Sequence, residues 1–292
     1  MYLLYKRIYN LHLPIDLQLK LFDHTISPIL SYGSELWSYE NTDIIEKVHI
    51  EFLKKITKSR KSTPAYMLYA ELGRYPLKVT FQTKMIKYWI NIITGSKSKF
   101  SYLVYRHLLY RNRQCKWLTC IRNTLDLTGH SDLFLNQNNI RKSSYILIKR
   151  TLIDQFIQEW NGKLEGSNKG KQYKLFKDNI ELETYLITLP IQYVFPLLKF
   201  RTSNHKFPVE TGRWSNTPYH ERFCRFCRND IGDSFHYLLV CKHFENKRKL
   251  LIDKYYYTRP NVLKYKQLLC QENVAVLKKL SLFVSHIMKI VC

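Results

Sequence analysis

The stretch CRFCRNDIGDSFHYLLVCKHF, residues 224 to 244, gathers three of the chain's seven cysteines and two of its ten histidines. Its ligand-capable side chains run Cys224-x2-Cys227-x8-His236-x4-Cys241. Such a set suits zinc, which takes four thiolate or imidazole ligands at tetrahedral corners, and a two-residue spacer lets one tight turn aim two thiols at the same ion. Asn229, Asp230, Gly232 and Asp233 supply turn residues between the halves, and His236 opens the apolar run HYLLVC that brings Cys241 round. Four protein ligands leave no open coordination position, so the expected cofactor is a structural Zn2+ and not a catalytic one. Two alternatives stand beside this reading: His243 in place of His236 as the nitrogen ligand, and a redox pair at Cys224 and Cys227. Cys115, Cys120, Cys270 and Cys292 have no companions at ligand spacing and read as ordinary thiols.

Catalytic chemistry is not legible elsewhere. Polymerases and most nucleases hold two metal ions on closely placed carboxylates, yet no Asp-Asp pair occurs in the chain. The segment GSNKGK, Gly166 to Lys171, is one residue short of a phosphate-cradling loop and lacks the Ser or Thr that should follow. No residue is assigned a catalytic role, and no enzyme activity is expected. The charge balance points to a polyanionic partner instead, since 47 Lys and Arg against 23 Asp and Glu give a net charge of +24. RNA or DNA fits that description. A membrane surface is the competing polyanion, but no segment has the roughly eighteen uninterrupted apolar residues of a spanning helix. The start, MYLLYKRIYNLHLPIDL, breaks its apolar run with Lys6 and Arg7 and has no small-residue cleavage site, so it is not read as a signal peptide. An intracellular location, nuclear or cytoplasmic, is expected, where cysteines are thiols or metal ligands rather than disulfides.

The elements that must carry the cluster are helices. Gly and Pro number only nine each in 292 residues, while Leu, Ile, Lys and Tyr abound, which favours long helices over short strands with tight turns. LPIDLQLKLFDHTISPILSYGSELW predicts a helix stopped near Pro28, with Gly33 turning the chain. In NTDIIEKVHIEFLKKITKSRK the apolar Ile44, Ile45, Val48, Phe52, Leu53 and Ile56 recur at helical spacing, and Asp43 with Glu46 makes a cap. Thr63-Pro64 opens a further helix closed by Gly73, KVTFQTKMIKYWINIITG makes the next, and others are predicted around 100–110, 115–127 and 141–160. NGKLEGSNKGKQ, 161–172, concentrates Gly, Asn, Ser and Lys and reads as a loop or linker. The tail 246–292 is helical and basic, and no repeat recurs at a fixed period. Three regions follow: 1–110, 111–199 with the loop near 161–172, and 200–292.

Four stretches occur in an order that resembles a known family: SPILSYGSELW (Ser27 to Trp37), KSTPAYMLYAELGRYPL (Lys61 to Leu77), FRTSNHKFPVETGRW (Phe200 to Trp214) and ERFCRFCRNDIGDSFHYLLVCKHF (Glu221 to Phe244). Together they resemble the C-terminal portion of the reverse transcriptase open reading frame of non-LTR, LINE-type retrotransposons. The resemblance implies that 1–110 corresponds to the helical thumb, 111–199 to a helical linker, and the cysteine cluster to the zinc knuckle that closes such proteins. The fingers and the palm with its paired aspartates would lie upstream of Met1, and an N-terminal endonuclease would be absent too. A restriction-like nuclease follows the knuckle in some relatives. Only about fifty residues follow Cys241 here, and they are expected to lack its Asp/Glu-x-Lys pattern.

What remains is a fold class: mainly α, a thumb-like and linker bundle followed by a small C-terminal zinc knuckle and a helical tail. The expected function is binding of RNA or DNA without polymerase or nuclease activity, with a full-length reverse transcriptase as a further partner. Arg222, Phe223, Arg225, Phe226 and Arg228 alternate charge and ring around the first two thiols, a composition suited to phosphate contact and base stacking. Packing of the knuckle's own small core is the equal alternative for Phe223 and Phe226, whereas Trp37, Tyr88 and Trp89 read as helix-core residues rather than base platforms. Lys54, Lys55, Lys58, Arg60 and Lys61 suit either phosphate contact or a solvated helix end. A zinc-stabilised protein-interaction module and a functionless relic of an insertion are the rival readings.

Overall fold

The computed structural model describes residues 13–40, 42–110 and 115–292, and of Asn139 the backbone alone. The expectation built on Lys6 and Arg7 lies outside these residues. The chain is mainly helical, and its only strand-like pairings among the described residues are two isolated antiparallel bridges, Leu72 with Leu182 and Phe223 with Ile231. No described helix is long and apolar enough to cross a membrane. Contacts divide the chain into two units, one of Met1–Lys20, Phe52–Arg74 and Gly162–Cys292, the other of Leu21–Glu51 and Tyr75–Asn161. The three consecutive regions drawn on the sequence do not coincide with these units, because 52–74 packs with the distant 162–292.

In the unit of Leu21–Glu51 and Tyr75–Asn161, the helices Leu77–Ile93, Phe100–Tyr110, Lys116–Leu127, Ser131–Leu135 and the start of Ser144–Glu165 surround one apolar cluster. Trp89 lies at its centre, fully buried, stacked on Phe134 with centroids 5.8 Å apart. Its indole Nε1 donates to Tyr105 Oη at 3.3 Å, so the buried N–H has a partner. Trp37 packs edge-on against Phe81 and donates to Tyr32 O at 2.8 Å, while Tyr88 packs on Trp117. All three rings predicted as core or platform are therefore packed inside this unit. Gly33, at φ +63°, makes the left-handed turn before the short helix Ser34–Trp37. Glu46, predicted as half of a cap, accepts from His49 Nδ1 at 2.8 Å and from the Leu77 amide at 2.6 Å, which ties the helix Thr42–Ile56 to the start of Leu77–Ile93.

The other unit carries the cysteines. Its spine is the pair Ile191–Arg201 and Val274–Val291. Val274–Val291 is capped by Asn273, whose side chain accepts from the amides of Ala275 and Val276. It buries Leu277, Leu280, Phe283, Val284, Ile287 and Val291, the spacing of a single helix face. Arg201, at the end of the first helix of this pair, joins an ionic network in which Glu71, Arg201 and Lys177 are buried and Glu183 is partly buried. Glu71 accepts from Arg201 Nε at 2.9 Å, Tyr173 Oη at 3.0 Å and Tyr185 Oη at 2.7 Å. Arg201 also donates to Leu269 O at 2.8 Å, and its Nη2 lies 3.0 Å from Glu183 Oε2, whose other oxygen takes Lys177 Nζ. Two carboxylates face two cations, so the cluster is neutral. Burial alone would push the Arg201 guanidinium down, but Glu71 and Glu183 more than reverse this and hold its pKa well above the usual value.

The loop expected at 161–172 is not one. The helix Ser144–Glu165 runs through Gly162, and after Gly166 and Ser167 a second helix, Asn168–Lys174, begins, with Ser167 Oγ accepting from the Gly170 amide at 3.0 Å. Gly170 serves close packing rather than flexibility, for a Cβ there would stand 2.2 Å from Leu164 O. Gly170→Ala should accordingly lower stability by about 2 kcal/mol, read from the shift in urea midpoint. Gly162→Ala, which meets nothing within 4 Å, should leave the midpoint unchanged or raise it.

Candidate metal centre

The cluster is built on a short hairpin. Phe223 pairs with Ile231, Cys224 N donates to Asp230 O at 2.8 Å, and Gly232 N donates to Arg222 O at 2.8 Å. Between these rungs the chain turns through Cys227 and Arg228, the latter left-handed at φ +57°, with Arg228 N donating back to Cys224 O at 3.1 Å. Asp233 then accepts from the His236 amide at 2.8 Å and opens a single π-helical turn, His236–Val240, whose end delivers Cys241. That wide turn carries His236 and Cys241, five residues apart, to the same side as the hairpin thiols.

The ligand atoms of Cys224, Cys227, His236 and Cys241 all lie within 4.8 Å of one another. Cys224 Sγ is 3.7 Å from Cys241 Sγ, and Cys227 Sγ is 3.3 Å from His236 Nε2. A disulfide would need about 2.0 Å. A tetrahedron with metal–sulfur bonds of about 2.3 Å has sulfur–sulfur edges of about 3.8 Å, so these side chains are spaced to share an ion rather than to bond each other. The residues therefore fit a metal. His236 presents Nε2 to the cluster, while its Nδ1 lies 3.4 Å from the Asp230 carboxylate without a hydrogen bond to it. His243 is not in the cluster; it is exposed and stacks on Phe226 at 4.0 Å.

Electrostatics agree with the geometry. Burial pushes the Cys224 thiol up, but the amides of Cys227 and Phe226 and the Tyr237 hydroxyl outweigh it, and its pKa falls below the ordinary value. Cys241 is pushed up to about 12 by burial, with the neighbouring Cys224 charge adding to it. Two thiolates 3.7 Å apart repel, and a divalent cation between them removes that penalty. With such a cation three thiolates leave the site one negative charge. Arg248 supplies the counter-charge: it is buried, and it donates to Leu238 O, Tyr237 O and Cys241 O at 2.8, 3.2 and 2.8 Å. Sequence reading passed over it because one arginine in a basic tail carries no positional signal.

The rings and arginines around the thiols separate into two kinds. Arg222 is bonded within the protein, donating to Thr217 O and Val209 O, each at 2.9 Å, while its stem lies against Gly212. Phe226, 36% exposed, packs on His243 and, edge-on, on Phe244. Phe223, Arg225 and Arg228 stand at the surface, with Arg225 Nη1 also donating to Val291 O at 2.8 Å. In the basic stretch, Lys54 Nζ donates to Lys61 O, Lys58 Nζ lies 4.2 Å from the Phe195 ring, and Arg60 lies 5.8 Å from the ring of Trp214. Lys55 and Lys61 are exposed. Trp214, unmarked among the site residues in the sequence, is thus where the basic stretch meets the segment leading into the knuckle.

One expectation about the tail is corrected. It does contain a carboxylate-x-lysine order, Glu245-Asn246-Lys247, but Glu245 is exposed and pairs with Lys249 at 2.6 Å. Among the described residues the metal-capable group of three or more side chains is the cysteine cluster. Comparisons with protein-family models, with curated proteins and with solved structures each return no match to this chain.

Proposed function

We propose that this chain is an intracellular nucleic-acid-binding module in which a structural zinc ion holds the knuckle, descended from the C-terminal part of a LINE-type reverse transcriptase and without polymerase or nuclease activity of its own. The observation that carries the binding reading is the coincidence of a net charge of +24 with a closed four-ligand cluster whose hairpin presents Arg225, Arg228 and Phe223 to solvent. Zinc is the metal that a Cys3His set selects, and four protein ligands leave it no position for substrate. Descent from the retrotransposon family rests on the four sequence stretches alone.

Salt titration tests the function. Affinity for RNA or DNA, followed by fluorescence anisotropy, should fall by about a thousandfold or more between about 50 and 200 mM salt if six or more phosphates are neutralised. Binding that ignores salt, or no binding, would reject the proposal and favour a protein-interaction module. Primer extension on a primed template should give no product.

A further inference from the structure

We propose that the cleft between Trp214 and Phe223 takes an unpaired base of a single-stranded nucleic acid, with Arg60 and Arg225 on the flanking phosphates. The inference rests on the nucleic-acid reading above and names the form of nucleic acid and the residues that receive it.

Trp214 closes the helix Pro208–Trp214 and is 63% exposed; Phe223 begins the knuckle hairpin and is 46% exposed. Scattered surface rings need no explanation. These two line the same cleft of about 530 Å³, with Arg225 on its wall. That volume is within the range of ligand clefts, roughly 300–1,000 Å³. Arg60 lies over the Trp214 ring at 5.8 Å, so cations from two separate segments flank the paired rings. The lone carboxylate on the cleft wall, Glu221, has His220 Nε2 3.6 Å away.

The spacing of the two rings is braced from within. Arg222, next to Phe223, donates to Val209 O inside the Trp214 helix and to Thr217 O beyond it. Its Cδ would stand 2.7 Å from a Cβ on Gly212, so the glycine lets the hairpin and the helix close together. The hairpin and the helix are therefore fixed to one another before any ligand arrives, which lowers the ordering cost of binding. A base inside a duplex already has both faces covered, whereas an unpaired base has a face to offer. Two exposed rings lining one cleft, with two arginines beside them, suit the unpaired base.

The experiment uses the full chain with fluorescein-labelled RNA and DNA strands of about twelve mixed-sequence nucleotides, single and as blunt duplexes, at about 100 mM salt. Trp214→Ala and Phe223→Ala should each weaken single-strand binding by about ten-fold, while duplex binding and the thermal transition stay unchanged. Trp214→Phe keeps a ring and should keep most of the affinity, while abolishing the quenching of protein fluorescence that an unlabelled strand produces. A Trp214→Ala/Phe223→Ala double variant that binds single strands like the parent protein overturns the inference and leaves the nucleic-acid reading intact. A parent protein that binds neither strand form overturns both.

Discussion

Cys224→Ser is expected to abolish fixed structure across 200–245. Structural zinc sites supply roughly 10–16 kcal/mol of apparent binding energy at neutral pH, as much as the whole stability of an ordinary domain, roughly 5–15 kcal/mol. Within itself the hairpin has one isolated bridge, Phe223 with Ile231, and a single helical turn, His236–Val240, and its ties to the rest of the unit run through Arg222, Arg225 and Arg248. Loss of one thiolate should leave amides of the segment exchanging freely with solvent and reduce bound zinc from one equivalent to a small fraction of one. Treating the parent protein with a zinc chelator should reproduce the exchange pattern. Cys270→Ser removes an exposed thiol outside the cluster and serves as the control. Protection of 200–245 that survives Cys224→Ser, together with an unshifted thermal transition, would show that the cluster is not a structural metal site.

The second large effect belongs to the buried ionic network. Arg201→Met removes the cation that satisfies Glu71 and Glu183, and leaves Glu71 charged and buried with only two tyrosine hydroxyls donating to it. Breaking one side of a buried pair costs about 3–5 kcal/mol. Urea unfolding should show a loss of that size, enough to unfold much of the population in a protein of ordinary stability. Adding Glu71→Gln to the same chain should recover part of it, because the uncompensated carboxylate is then gone. A loss below about 1 kcal/mol for Arg201→Met would mean that water or neighbouring groups already satisfy Glu71, and that the network contributes little to stability.

Helices such as Leu77–Ile93 and Thr42–Ile56 were legible because their apolar residues recur at a helix's own period. The four ligands were legible because a metal imposes spacing on the chain, and spacing is what a sequence records. The helix Asn168–Lys174 was missed for a physical reason: Gly170 is there to touch the Leu164 carbonyl, yet a glycine chosen for contact looks the same as one chosen for freedom. Glu71 and Arg201 lie 130 residues apart, beyond any local pattern. Arg248 is one of 47 lysines and arginines, and only the packing of the π-turn carbonyls around its guanidinium sets it apart. Trp214 was hidden likewise, since the fold alone sets it under Arg60 and on the same cleft as Phe223.

The segment Phe52–Arg74 belongs to a unit that, apart from Met1–Lys20, continues only from Gly162, and this imposes an order on synthesis. A ribosome adding about 5–20 residues per second delivers Arg201 some ten seconds after Glu71. For most of that interval the Glu71 carboxylate has none of its later partners, which arrive in the order Tyr173, Tyr185, Arg201. The stretch Tyr75–Asn161, in contrast, has its Trp89 cluster complete once Leu152 has emerged. Nascent chains stalled short of residue 200 should therefore present a folded helical cluster together with an unsatisfied 52–74 segment, a natural target for holding chaperones until the rest arrives.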